Sequence, residues 1–261
     1  MYSLVYHPQF YLENNMRIWA FALTMSLMPL VAQAGEVVNY SVDGEKFEGY
    51  QAKAVGSSKG LVLVIHDWDG LTDYEVKRAD ILSEMGYDAF AVDLYGKGNR
   101  PVETGAKKAE TGKLYKDRER MRTLILASLA EARKSSDQPT VVMGYCFGGA
   151  ATLELARSGK ASGIKGYTTF HGGLATPEGQ KYAADTPPIL VAHGGADTSI
   201  TMDHVAELSR ELETAGVPYE IQVYSGAPHA FTVFDSSRYQ ETADRQSWDA
   251  FSDFLTSSLG G

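Results

Sequence analysis

Residues 140–150, TVVMGYCFGGA, pass from an unbroken apolar run straight into a cluster of glycines, and the only cysteine of the 261-residue chain, Cys146, stands between them. Thr140–Gly144 has the composition of a strand covered on both faces. Gly144-Tyr145-Cys146-Phe147-Gly148 then fits the pattern glycine-x-nucleophile-x-glycine, in which a sharp strand-to-helix turn lifts a reactive side chain clear of the backbone and the glycines let chain segments pass closely. A helix beginning near Phe147 points its N-terminus at the sulfur, an arrangement expected to lower the thiol pKa. The pentapeptide alone also fits a small buried hydrophobe, the usual state of a free cysteine. Its partners must decide.

Outward from this turn, strand-like and helix-like segments alternate. EVVNYSV-DG-EKFEGYQAKA reads as an antiparallel hairpin around Asp43-Gly44. LVLVI (61–65), DAFAVDL (88–94), IKGYTTF (164–170), PILVAHG (188–194) and YEIQVYS (219–225) continue the strand series. Thr72 and Glu75 form a capping box that opens a helix closed by Gly86. Met121, Leu124, Ile125, Leu129 and Ala132 recur at helical spacing, as do Val205, Leu208 and Leu212, and Trp248, Phe251 and Leu255. The segment from Tyr95 to Arg120 has no such period and is expected to be a loop with short helical turns. Strands alternating with helices predict an α/β fold, a mostly parallel central sheet with helices on both faces and an N-terminal antiparallel hairpin.

In such a sheet ligands bind beyond the carboxyl ends of the strands. The residues found there are His66-Asp67-Trp68, Tyr95 and Lys97, Cys146, His171, Asp197 and His229. An activated nucleophile needs a base within reach and a third group to orient that base. Cys146, Asp197 and His229 follow the chain order nucleophile, acid, histidine, each at a predicted strand exit. Asp197 otherwise reads as a helix N-cap, and His229 as an uninvolved loop histidine. Asp67, Asp69 and Asp73 do not have the spacing of a calcium loop, and His193 with Asp197 lacks the company of a metal site. Gly96-x-Gly98 lacks the third glycine of a dinucleotide fingerprint, so neither metal nor cofactor is expected.

A net charge of −9 argues against nucleic acid and anionic membrane surfaces as partners. Residues 1–34 read as a leader: Arg17, an apolar run from Ile18 to Val31 and the ending Ala32-Gln33-Ala34 have the form of a secretory signal, with Met16 as the start and cleavage after Ala34. The run is short for a membrane span. The expectation is an exported protein, periplasmic or secreted, with residues 35–261 forming one domain, favoured as a monomer. With one cysteine it has no internal disulfide.

The set VIHDWDGL, GYDAFAVDLYGKG, VVMGYCFGGA, VAHGGADTSI and YSGAPHAF resembles the dienelactone hydrolase family of the α/β-hydrolase superfamily, from about residue 59 to the C-terminus. The resemblance implies a Cys146, Asp197, His229 triad and an oxyanion hole built from the backbone N–H groups of Phe147 and Trp68. It implies a small-molecule ester or lactone substrate, cleaved through a thioester. Asp67 falls where members carry a glutamate that contacts the cysteine, and it is one methylene shorter; its other reading is to fix the loop. Lys97 and Val233 occupy positions where members bind a substrate carboxylate with arginines, and Tyr95 adjoins Lys97 in the same stretch. The alternatives are a thioesterase or small-acyl esterase and, from another class, a binding protein on the same scaffold.

Overall fold

A computed structural model describes residues 35–260. The expected signal and its cleavage point lie outside the described residues, apart from Gly35 on the mature side. The elements in chain order are β1 (Glu36–Val42), β2 (Glu45–Ala52), β3 (Leu61–Ile65), α1 (Asp73–Glu84), β4 (Asp88–Ala91), α2 (Thr104–Lys116), α3 (Arg118–Ala132), β5 (Thr140–Tyr145), α4 (Phe147–Ser158), β6 (Ile164–Phe170), β7 (Ile189–Gly194), α5 (Met202–Ala215), β8 (Tyr219–Tyr224) and α6 (Glu241–Leu259). The strands form one sheet in the order β1-β2-β4-β3-β5-β6-β7-β8. The hairpin β1–β2 joins the sheet by antiparallel pairing of β2 with β4, and every later pair is parallel. This is an α/β-hydrolase fold.

Alternation along the central strands divides the core in two. Leu61, Leu63 and Ile65 pack with α3, α4 and α5 on one face, whereas Val62 and Val64 pack with α1 and α6 on the other. Both sets are fully buried, which accounts for the unbroken apolar run in the sequence. The parallel register sets Ile65 of β3 beside Gly144 of β5, so the loops that follow the two strands leave the sheet together. Among the described residues no helix is long and apolar enough to cross a membrane.

Two expectations need correction. Thr104–Lys116 is a 13-residue helix rather than a loop with short turns. Leu114 is its only buried side chain, so the sequence carries no apolar period to announce it. β4 ends at Ala91, three residues before the apolar run does; Val92–Leu94 continues buried beyond it, with only Val92 N–H still donating to the Val64 carbonyl of β3, at 3.0 Å.

Candidate active site

The turn after β5 is built as its glycines suggest. Cys146 has φ 50° and ψ −109°, a strained backbone for a residue with a Cβ. Its N–H donates to the Phe170 carbonyl at 3.0 Å, and its carbonyl accepts from Gly173 N–H at 3.3 Å, so β6 and the loop beyond it hold the turn. A Cβ on Gly148 would lie 2.3 Å from the Ile65 carbonyl oxygen, and one on Gly144 would lie 2.2 Å from that of Gly148. Glycine is required at both positions by close passage of the backbone.

Cys146, His229 and Asp197 come from three different strand exits and stand in hydrogen-bonding series. His229 Nε2 is 3.1 Å from Cys146 Sγ, and His229 Nδ1 is 2.7 Å from Asp197 Oδ2. The other oxygen of Asp197 accepts from the backbone N–H groups of Ser199 and Ile200, at 2.8 and 2.9 Å. Burial pushes the Asp197 carboxyl up, but its hydrogen bond to His229 and those backbone donors prevail and hold it below the usual range. Asp197 thus holds the Ser199–Ile200 turn as well as the histidine, but it is not the helix N-cap: that position belongs to Thr201.

The thiol departs from expectation. Burial, followed by the nearby Asp67 charge, pushes Cys146 up to about 12, and the Phe147 N–H at the start of α4 only partly opposes this. The helix N-terminus lies where the sequence placed it, but desolvation outweighs it. Burial thus favours the protonated thiol, which lies within hydrogen-bonding distance of His229 Nε2.

These groups open into a cavity of about 370 Å³, the scale of a small ligand, whose walls include Cys146, His229, Asp67, Trp68, Lys107 and Arg238. Trp68 lines it, and Phe147 follows Cys146 as the first residue of α4, its N–H directed at the sulfur. Asp67 lies on the wall, but its carboxyl accepts from Asp69 N–H at 3.0 Å, and no hydrogen bond joins it to the sulfur. Burial, then its contact with Asp69, raises Asp67 well above the usual carboxylate range. Fully buried Glu75 is raised to about 7, again chiefly by burial, while accepting from Thr72 N–H at 2.9 Å.

His66 supports the same loop. Its Nε2 accepts from Leu94 N–H at 3.2 Å, which leaves Nδ1–H to donate to the Asp67 carbonyl at 2.6 Å. Burial lowers its pKa to about 4, consistent with this neutral tautomer. Tyr95 does not line the cavity; its hydroxyl donates to the Trp68 carbonyl at 3.2 Å and its ring packs on His66 and Phe147. Lys97, expected near the substrate, is at the β1–β2 hairpin instead, exposed and bonded to Asn39 Oδ1 at 2.5 Å.

The cations that do reach the cavity were not singled out in the sequence. Lys107 of α2 pairs with Asp69 at 3.1 Å and lies over the Trp68 ring, while Arg238 has no ion-pair partner among the described residues. Lys107 sits in the segment without apolar period, and Arg238 follows His229 by nine residues in irregular chain. Neither position carries a motif signal.

Sequence comparison finds that the model of the dienelactone hydrolase family matches residues 47–259. A carboxymethylenebutenolidase of Rhodococcus opacus is 26% identical over 212 residues, covering 77% of this chain and 81% of that protein. The crystal structure of a dienelactone hydrolase-like promiscuous phosphotriesterase from metagenomic libraries is 26% identical and superposes with a TM-score of 0.77 over 86% of this chain and 98% of that one. The apo form of Thermogutta terrifontis esterase 2, 19% identical, shares the fold with a TM-score of 0.61 over 88% of this chain and 96% of that one. The chain belongs to the dienelactone hydrolase family and is an ester- or lactone-cleaving hydrolase of that family.

Proposed function

We propose that the hydrolysis runs through a Cys146–His229–Asp197 triad and a thioester. The observation that carries this reading is the unbroken series from sulfur to imidazole to carboxylate, at 3.1 and 2.7 Å, opening on a cavity of small-ligand size. His229 Nε2 takes the thiol proton as sulfur bonds to the carbonyl carbon, and Asp197 stabilises the imidazolium that forms. The carbonyl oxygen becomes an oxyanion received by the backbone N–H groups of Phe147 and Trp68. Collapse expels the alkoxide, which takes the proton from His229 and leaves as the alcohol; from a lactone it stays tethered to the acyl group. Water then gives a proton to His229 and adds its oxygen to the thioester carbonyl. Loss of sulfur releases the acid and returns the thiol.

Lys107 and Arg238 suit an acyl group that carries an additional negative charge, with Arg238 the freer of the two. A thioester substrate would use the same apparatus and is the second reading, since sulfur attack on any activated acyl group draws on the same oxyanion site. The mature protein is to be assayed with p-nitrophenyl acetate, dienelactone and a short acyl thioester. Cys146→Ala and His229→Ala should each reduce turnover of the preferred substrate by at least about a thousandfold. Wild-type activity in both variants would rule the triad out.

Export is also part of the proposal. The apolar run ending in Ala32-Gln33-Ala34 supports it, and N-terminal sequencing of the protein recovered from a periplasmic extract should begin at Gly35.

A further inference from the structure

His229 lies in a segment, from Ser225 to Gln240, that contains neither helix nor strand. Ala230, directly after it, has φ 65°, so the chain leaves the histidine in a left-handed conformation unusual for a residue with a Cβ. An imidazole on irregular chain holds its direction only if something fixes the backbone beneath it. Several of the tethers converge on one residue, fully buried Thr232.

The Thr232 hydroxyl is 2.7 Å from the Tyr74 hydroxyl of α1 and 2.8 Å from His171 Nε2 at the end of β6. Its carbonyl accepts from Arg78 Nη2 at 3.0 Å, and the same nitrogen binds Asp244 of α6 at 2.5 Å. One threonine thus ties the loop to α1 and β6 directly and to α6 through Arg78. His171 completes the linkage: its ring meets the His229 ring edge-on, with centroids 5.4 Å apart and planes at 66°. Among the described residues Thr232 is the only hydrogen-bond partner of the His171 ring, whose Nδ1 has none. The rotation of His171, and with it the surface against which His229 rests, is set by the Thr232 hydroxyl.

We propose that Thr232 is a positioning residue for His229, fixing the loop backbone through its carbonyl and the supporting His171 ring through its hydroxyl. The inference rests on the triad reading above. A shift of about 1 Å in a reacting group costs on the order of a hundredfold in rate, so loosening this support should be visible in the acylation step. Valine has the shape of threonine without the hydroxyl, and it leaves the buried Tyr74 and His171 groups without a partner.

The test is the p-nitrophenol burst from p-nitrophenyl acetate. Thr232→Val should lower the maximal burst rate roughly ten- to a hundredfold, with the half-saturating substrate concentration changed less than about threefold. Thr232→Ser, which restores the hydroxyl, should return the rate to within about threefold of wild type. Tyr74→Phe should cause a smaller loss of a few-fold, and adding it to Thr232→Val should cost little more, because the shared bond is already gone. A wild-type burst in Thr232→Val overturns the inference, as does a loss that serine does not restore. If Thr232→Val fails to fold, Tyr74→Phe decides, and an unchanged burst rate overturns it. His229→Ala separates the two readings: wild-type turnover there removes the triad and this inference together, whereas its inactivity beside an unaffected Thr232→Val removes the inference alone.

Discussion

The sulfur of Cys146 and Nε2 of His229 lie 3.1 Å apart, and the thiol in this pair is held up to about 12 from an ordinary 9.0, first by burial and then by Asp67. At pH 8 such a site contains about a thousandfold less thiolate than an ordinary cysteine, and in the proposed mechanism the nucleophile forms only as His229 withdraws the proton. Alkylation by iodoacetamide at pH 8 should therefore be at least about tenfold slower than for an exposed thiol, and should still be accelerating above pH 10. The 240 nm thiolate absorbance, measured against Cys146→Ser, should be absent at neutral pH. Thiolate titrating below pH 7 would contradict the raised thiol.

In the proposed triad Asp197 contributes charge as well as geometry. Its Oδ2 fixes the His229 tautomer, while Ser199 and Ile200 N–H groups hold its Oδ1. Asp197→Asn keeps the size but presents an amide that competes to donate to Nδ1, favouring the tautomer in which Nε2 carries a proton and cannot accept one from sulfur. The expected loss in kcat is about 10²- to 10⁴-fold, with a melting temperature within a few degrees of wild type. Retention of a tenth or more of the activity would show that Asp197 serves mainly to hold the Ser199–Ile200 turn.

Glu75 ties the loop carrying Asp67 and Trp68 to the start of α1, and its carboxyl is raised to about 7 from 4.5 by burial. A folded-state pKa above the unfolded one means that the native protein holds the proton more tightly. The resulting stabilisation is fully present below pH 4.5 and is lost as pH rises through 7. It amounts to roughly 3 kcal/mol, so thermal unfolding of wild type relative to Glu75→Gln should favour wild type more at pH 5 than at pH 8. A difference independent of pH, or one that grows in favour of wild type toward pH 8, would refute a buried carboxyl titrating near neutrality.

What could be read from the sequence divides along physical lines. The central strands were legible because burial on both faces leaves a continuous apolar run, and the turn at Cys146 because only glycine tolerates the Ile65 carbonyl 2.3 Å from a would-be Cβ. Asp197 and His229 could be placed because each follows a strand, so topology brings them to one edge. Lys107 and Arg238 could not, since α2 buries one side chain and Arg238 stands on irregular chain. Lys97 was misplaced for the converse reason: motif position puts it after a strand, but the chain there turns to the β1–β2 hairpin, and Lys97 N–H donates to the Lys46 carbonyl at 2.8 Å. The thiol was misjudged because a helix N-terminus is visible in sequence and the depth of a sulfur is not.

Two glycines should respond to alanine in opposite ways. Gly148, at the start of α4, has backbone on the side where a Cβ would point, 2.3 Å from the Ile65 carbonyl oxygen and 2.5 Å from that of His66. Gly148→Ala must part β3 from α4, and since His66 leads into the Asp67–Trp68 loop it should lower both stability, by several kcal/mol, and activity. Gly112 is interior to α2, and a Cβ there meets nothing within 4 Å. Gly112→Ala should add about 1 kcal/mol through helix propensity, or 2–4 °C in melting temperature for a domain of this size. α2 also carries Lys107 and sets Tyr115 against the Phe147 ring at 5.4 Å, so it forms part of the cavity's surroundings. The position of its Lys107 is already fixed by Asp69 and the Trp68 ring, and the expected kcat for p-nitrophenyl acetate is unchanged. A higher melting temperature accompanied by a tenfold loss of kcat would instead mean that α2 must bend for substrate to pass, with Gly112 as the point of flexure.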